Sequence, residues 1–438
     1  TGYLGKWHNG LYCRDHLPHQ RGFDEFIGFA NGGQDYWNWK LMRNDHLEVA
    51  DRRFFTDVLN DEAVDFIRRN HDKRFALFLS HNTPHTPLQA PEELVAKYRG
   101  QVGESVAILY AMIEAMDRGL GRVFDELDTL GLREDTIIVF TSDNGAHLGS
   151  SPRKGESQDR FSAGLSGNKG DVGEQGIRVP AIVSWKGSLP AGATVDLPVH
   201  GSDWLPTLLA LADLRPSTSG KPFDGLNLEP WLRGEDSAIV ANRFLAFQSN
   251  RYTPVAHHDA AIRLGRWKVR WPTVIQTERK DIGRDNPSYR RGLYADPWEM
   301  PLDPVLRDRS DVEASEPKLY DLVDDPGEEN DLSSKYPEIV EALKEKYDAW
   351  FEDVIEDWRE SRVEILEADR KYWSERKAPD PREMFRDFWQ WQTAPNYVDP
   401  EAADPLTVFA GYWIPELELP DEDFVSQPHV AAYERFYY

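Results

Sequence analysis

Apolar residues fall at helical spacing along residues 55–69, where Phe55, Val58, Leu59, Phe66 and Ile67 share one face and Asp65 stands one turn before Arg69 as an ion pair. The continuous apolar run Phe75-Ala76-Leu77-Phe78-Leu79-Ser80 predicts a short buried strand, with residues 81–91 as the loop at its carboxyl end. A second periodic stretch carries Val106, Leu109, Tyr110, Ile113, Leu120, Val123, Phe124 and Leu127, ends near Gly131, and leads into the β-branched run at 136–140. Helix and buried strand alternating in this way predict an α/β fold, a mostly parallel sheet flanked by helices on both faces.

The pattern changes further along. Residues 177–185 read as another strand, with Pro180 placing it at an edge or a bulge. Ser202 reads as the N-cap of a helix through Leu205, Leu208, Leu209 and Ala212. Pro216, Gly220, Pro222 and Gly225 then mark a domain boundary. Beyond it, residues 261–271 alternate around Leu264-Gly265-Arg266 like a hairpin, 318–322 form a further strand, and Pro337 opens a helix with Ile339, Leu343, Tyr347, Trp350, Val354 and Trp358 on one side. The expected organisation is a first domain at 1–215, a smaller C-terminal subdomain of antiparallel sheet plus helix at 216–356, and an acidic, aromatic-rich extension at 357–438. Trp373, Trp389, Trp391 and Trp413 make that extension unlike a disordered tail. It reads as wrapping the body or covering a cleft, with a carbohydrate-stacking platform as the functional alternative.

Composition narrows the partners. With 438 residues and 40% hydrophobic content the chain can bury a large core, and its formal charge of −25 argues against a nucleic-acid partner, which is held by Lys and Arg. No apolar run approaches the roughly 18 residues that a bilayer span needs. Cys13 is the only cysteine, which excludes an internal disulfide and a Cys-rich zinc site. The first residue is Thr1, not Met, so localisation stays open, and oligomeric state is not legible. Catalysis on an anion in so acidic a chain requires a local positive focus.

Thr141-Ser142-Asp143-Asn144-Gly145 follows the strand at 136–140, so a carboxylate and an amide stand where a buried strand opens into a loop. Ligands of open α/β sheets bind beyond the carboxyl ends of strands, and Ca²⁺ or Mg²⁺ takes oxygen donors of this kind. Asp-Asn-Gly is also the composition of an ordinary turn. Lys6 and His8 lie two apart, so an extended backbone points both to one face and Trp7 to the other. His85 sits between Pro84 and Pro87, which restrict where the imidazole points. Lys169 is flanked by Gly167 and Gly170, which permit close approach to a ligand.

Gly5-Lys6-Trp7-His8, Asn82-Thr83-Pro84-His85-Thr86-Pro87-Leu88-Gln89-Ala90-Pro91, Gly167-Asn168-Lys169-Gly170 and Glu174-Gln175-Gly176-Ile177-Arg178-Val179-Pro180, taken with the Asp-Asn pair, resemble the formylglycine-dependent sulfatases of the alkaline-phosphatase-like superfamily. The likeness is close from Thr1 to about Trp185 and looser to about Trp350. It implies a sulfuric ester hydrolase that acts on a small-molecule or carbohydrate sulfate ester, with a secreted or periplasmic location plausible. In this resemblance Asp143 and Asn144 hold Ca²⁺ or Mg²⁺. Lys6 contacts the sulfate and the nucleophile, His8 takes a proton from the nucleophile's second hydroxyl, His85 is the general acid, and Lys169 is the second sulfate-binding cation. Glu174 and Arg178 are expected to order their loop by ion pairing, and His81 and His147 to be structural, with lining of the specificity pocket as the alternative. Nothing in the spacing requires His257 or His258 to reach the site.

The family's nucleophile is made from Cys or Ser in Cys/Ser-x-Pro-x-Arg, and no such motif occurs. Cys13 is followed by Arg14-Asp15-His16-Leu17, and Ser150-Ser151-Pro152-Arg153-Lys154 ends in Lys. The family's aspartate pair from the first strand is missing too. The expectation is a catalytic domain lacking its N-terminal part, binding metal poorly and turning over little or nothing. Two alternatives stand beside it: a phosphate or phosphonate ester hydrolase of the same superfamily, and a non-catalytic module that binds sulfated glycans through the aromatic tail.

Overall fold

Strand β1 (Gly2–Lys6) pairs in parallel with β2 (Glu25–Phe29) on one side and β5 (Leu77–Ser80) on the other. The computed structural model describes residues 1–9, 17–30, 32–44, 46–147, 160–215, 222–235, 243–249, 256–272 and 315–375. Cys13, residues 150–154 and the tryptophans at 389, 391 and 413 lie outside these, as does the side chain of Trp373. Strands β3 (Lys40–Arg43) and β4 (His46–Val49) extend the sheet antiparallel, giving the order β4-β3-β2-β1-β5. Because β1 and β5 run the same way, with Gly5 opposite Ser80, the segments leaving them emerge together at one edge. That edge is where Lys6 and the loop bearing His85 lie.

Helices α1 (Phe55–Asn70), α2 (Glu92–Tyr98) and α3 (Glu104–Thr129) flank the sheet, and their apolar faces join Leu4, Ile27 and Leu41 in one core that includes Phe55, Leu59, Ala111 and Met112. The helical periodicity therefore reads out directly, with one correction. Arg69 does not pair with Asp65. It forks onto Glu25 of β2 at 2.9 and 3.1 Å, and Asp65 lies nearest Arg68 at 3.5 Å. A bidentate guanidinium–carboxylate pair that ties helix to sheet outcompetes a single exposed contact along one helix.

Strand β6 (Ile138–Thr141) pairs antiparallel with β7 (Ala181–Ser184), and between them residues Glu174–Ile177 form one helical turn, α4. The strand expected from residue 177 thus begins only after Pro180, which has no N–H to give a ladder. The helix expected from Ser202 is α5 (Trp204–Leu211), entered through a 3₁₀ turn whose cap is His200: its side chain accepts from the Ser202 amide while Asp203 accepts from the His200 amide. A short α6 (Glu229–Leu232) follows.

The second region is an antiparallel sheet, β11-β10-β9-β8, built from β8 (Phe244–Gln248), β9 (Ala260–Leu264), β10 (Trp267–Trp271) and β11 (Lys318–Asp321). The hairpin turns at Gly265, and helix α7 (Pro337–Glu375) lays Val340, Leu343 and Tyr347 against Ile262, Val269, Trp271 and Leu319. This helix continues past residue 357. Among the described residues, no helix is long and apolar enough to cross a membrane.

Where α3 crosses α1, Gly119 meets the fully buried Asn60, whose Nδ2 donates to Thr56 O at 2.7 Å and whose Oδ1 accepts from His81 Nε2 at 3.1 Å. A Cβ on Gly119 would stand 1.9 Å from Asn60 Nδ2. Gly119→Ala is expected to destabilise the fold by about 1–3 kcal/mol, the overpacking cost outweighing a helix-propensity gain of about 1 kcal/mol. Urea unfolding checks this; an unchanged or raised midpoint contradicts it.

Candidate active site

Lys6 closes β1, and His85, Asp143 and Lys169 lie on loops next to strands or a helical turn. The Lys6 ammonium lies 4.0 Å from Asp143 Oδ2, just beyond β6. The Lys6 side chain is 12% exposed against 69% for Asp143, so the cation is the sheltered partner. Burial lowers the Lys6 pKa, Asp143 opposes the shift, and Lys169 adds to it. The two ammonium groups therefore share one electrostatic neighbourhood.

His85 belongs to the same neighbourhood. Burial, then Lys6, and more weakly Lys169, push its pKa down to about 4, with the Thr86 carbonyl and Asp143 opposing. His85 Nδ1 lies 2.8 Å from the Thr86 carbonyl, which can only accept, so Nδ1 carries the proton and Nε2 is the ring's acceptor. The surrounding loop is held by the His85 amide on Asn82 O at 2.7 Å and by the Tyr36 hydroxyl on His85 O at 3.0 Å. Gln89 locks the far end, accepting from the Tyr36 amide and donating to Asp35.

The loops bearing Asp143 and Lys169 are stitched to each other. The Lys169 amide donates to Ala146 O at 3.0 Å, and the Gly145 amide to Gly176 O at 2.9 Å. Gly145 must lack a side chain, since a Cβ there would lie 1.8 Å from Gln175 O. Ser142 Oγ and Asn144 Nδ2 donate within their own turn, to Asn144 O and Gly145 O, and neither bond uses the side-chain oxygen Oδ1 of Asn144.

The structure thus brings Lys6, His85, Asp143 and Lys169 together. His8 is positioned differently from expectation: it lies past the end of β1 with φ at 56°, so strand alternation does not aim it, and its ring packs over Gly32. His81 is half-buried, and desolvation lowers its pKa to about 4. His147 is exposed. His257 pairs with Asp348 and packs on Trp271 and Tyr347, inside the second region, and His258 is buried there. Arg178 lies 3.9 Å from Glu174, but the nearer partner of Glu174 is Lys268 at 2.9 Å.

Asp143 and Asn144 offer oxygen donors that suit a hard divalent cation in kind. They supply two, whereas Ca²⁺ takes about six to eight. Among the described residues no group of three or more His, Cys, Asp or Glu could hold a metal.

Sequence reading passed over Tyr36, Gln89 and the buried pair Lys268–Glu328. Spacing held a signal for the last: Lys268 and Arg270 alternate with Trp267, Val269 and Trp271, so two cations share the strand face opposite the packed one.

Residues 1–214 match the family model described as Sulfatase, and this part of the chain is a sulfatase-family, alkaline-phosphatase-like region. Among its relatives, the steryl-sulfatase of Mus musculus is 33% identical, over 78% of this chain and 64% of its own length. Arylsulfatase J of Mus musculus is 28% identical, over 78% and 58%. The chain thus spans about three fifths of the length of these curated relatives. A solved structure of Ps i-CgsB with k-i-k-neocarrahexaose superposes with a TM-score of 0.62 at 27% identity, covering 80% of this chain and 71% of that one.

Neutral desolvated imidazoles make stability pH-dependent. Unfolded His81 takes up a proton near pH 6.5, whereas the folded protein resists until about pH 4, so stability falls as pH falls through that interval. The loss from His81 is on the order of 3 kcal/mol. Urea unfolding at pH 7 and near pH 4.5 should show this decline, reduced in His81→Gln; equal decline in both proteins contradicts it.

Proposed function

We propose that the chain forms the anion-gripping part of a sulfuric ester hydrolase acting on a small-molecule or carbohydrate sulfate monoester. The observation that carries this reading is the convergence of Lys6, Lys169 and His85 near the carboxylate of Asp143. The family match over residues 1–214 and the steryl-sulfatase and arylsulfatase relatives support the same chemistry.

A sulfate monoester spreads its charge over three oxygens, and negative charge builds on the bridging oxygen as the S–O bond breaks. Preorganised cations that meet this charge are often the largest contribution to catalysis. Lys6 and Lys169 bind the terminal oxygens. His85 faces the leaving oxygen through Nε2, since Nδ1 is committed to Thr86. At rest the imidazole is neutral, because burial and the two lysines oppose its charge. An entering anion offsets those lysines, raises the imidazole pKa and favours the protonated form that donates to the departing alcohol. His8 is assigned to proton removal at the nucleophile. Asp143 and Asn144 would hold a divalent cation, Ca²⁺ or Mg²⁺, which when bound supplies Lewis-acid charge to the sulfate oxygens. No residue of these 438 stands in Cys/Ser-x-Pro-x-Arg, so the formylglycine step is assigned to none of them.

Two outcomes are expected of the purified 438-residue chain. It shows no turnover of an aryl sulfate above background; sustained turnover contradicts the absence of a nucleophile. It binds inorganic sulfate by calorimetry, and Lys6→Ala or Lys169→Ala each weakens binding at least about tenfold, as loss of a charge-assisted hydrogen bond implies. Unchanged affinity contradicts the assignment, and tighter binding of inorganic phosphate favours the phosphate-ester alternative.

A further inference from the structure

The loop that delivers Lys169 is held from behind by the second region. Lys268, in the middle of β10, is fully buried; its ammonium donates to Glu174 Oε1 at 2.9 Å and lies 2.9 Å from Glu328 Oε1. Glu328, in the turn after β11, has a fully buried side chain and a backbone held at φ 55°. Its Oε2 accepts from Ser166 Oγ at 2.5 Å and from the Glu174 amide at 2.8 Å. Arg270, two residues along β10 and on the same face, reaches Asp171 at 3.5 Å and Glu328 at 3.8 Å. Asp171 in turn accepts from the Gly173 amide at 2.7 Å, and Ser249 Oγ, at the end of β8, donates to Gly170 O at 2.8 Å.

Apart from the two contacts of Glu328 with Lys268 and Arg270, these contacts land between Ser166 and Glu174, the segment that carries Lys169. Plain packing of two subdomains does not call for them: a buried ion cluster is no more stabilising than apolar residues of the same volume. What it does provide is a single permitted register. Lys268 lies between Glu174 and Glu328, and Arg270 between Asp171 and Glu328, in one placement of the loop, and a shift of an ångström strands a buried charge. The same loop donates the Lys169 amide to Ala146, so that placement is passed to the turn carrying Asp143.

We propose that Lys268 is a positioning residue for the anion site: through Glu174 and Glu328, with Arg270 and Ser249 alongside, the second region sets where the Lys169 ammonium stands. This inference rests on the reading of Lys169 as a sulfate-binding group.

The test compares the full chain with Lys268→Met, Lys268→Arg, Ser249→Ala and Lys169→Ala, by amide hydrogen exchange and by calorimetry with inorganic sulfate. In Lys268→Met, exchange across 166–176 rises while β9 and α3 stay protected, and sulfate affinity falls about tenfold or more, as misplacement of a binding group implies. Lys268→Arg, which keeps the charge, recovers much of both. Ser249→Ala removes one hydrogen bond from the same loop without unpairing a buried charge, and shows the same two changes in weaker form. That variant keeps the test decisive if Lys268→Met does not fold. Wild-type affinity in Ser249→Ala and in a folded Lys268→Met overturns the proposal, as does loss of affinity with no change in loop exchange. Lys169→Ala separates the two readings. If it binds sulfate like the wild type, the sulfate reading fails, and loop exchange in Lys268→Met still reports on positioning.

Discussion

Two ammonium groups and an imidazole gather near the carboxylate of Asp143, and the rest of the molecule is arranged to keep them there. Left to themselves, Lys6, Lys169 and His85 would swing apart into water, which is why their proximity demands rigid supports. Burial of Lys6 at the end of a central strand holds the first, a loop tied at both ends holds the imidazole, and bonds from the C-terminal sheet reach the loop of the last. The shifts in the Lys6 and His85 pKa values record the resulting tension: Lys6 is pushed toward neutrality by burial and Lys169, and His85 by burial and both lysines. An arriving anion relieves it. In the proposed function, this unfavourable charge arrangement is what favours a group that carries negative charge on several oxygens.

The topology explains how residues so distant in sequence meet. β1 and β5 run parallel and adjacent, so their carboxyl ends deliver Lys6 and the His85 loop to the same edge. Asp143 arrives from β6, and Lys169 from the loop that leads into α4. Among the described residues the second region adds no side chain to the cluster, yet Lys268, Arg270, Ser249 and Glu328 all bear on that last loop. A C-terminal antiparallel sheet is in this sense part of the site's scaffold.

Much of this was legible in the chain. Long periodic stretches gave α1, α3 and α7 because each buries one continuous apolar face, and the runs at 77–80 and 138–141 are apolar enough to mark buried strands. The short strands β2, β3, β4 and β8 were not foreseen, since four or five residues carry too little periodicity to separate strand from loop. The candidate residues at Lys6, His85, Asp143 and Lys169 stood out through their Gly and Pro surroundings. What spacing did not reveal was partner choice: Arg69 leaves its own helix for Glu25, and Glu174 prefers Lys268 to Arg178. Those pairings depend on tertiary approach between segments tens of residues apart. His8 shows the same limit, because a left-handed backbone at one residue cancels an alternation that the sequence alone suggests.

The most direct measurement is a crystal structure of the chain grown with selenate, a heavier sulfate analogue whose position is read from its anomalous signal. The charge cluster predicts one dominant selenate site, with its oxygens in hydrogen-bond reach of both Lys6 Nζ and Lys169 Nζ and with His85 Nε2 turned toward it. Selenate bound elsewhere with this pocket vacant, or the two ammonium groups directed to separate surfaces, would contradict the claim on which the functional assignment stands.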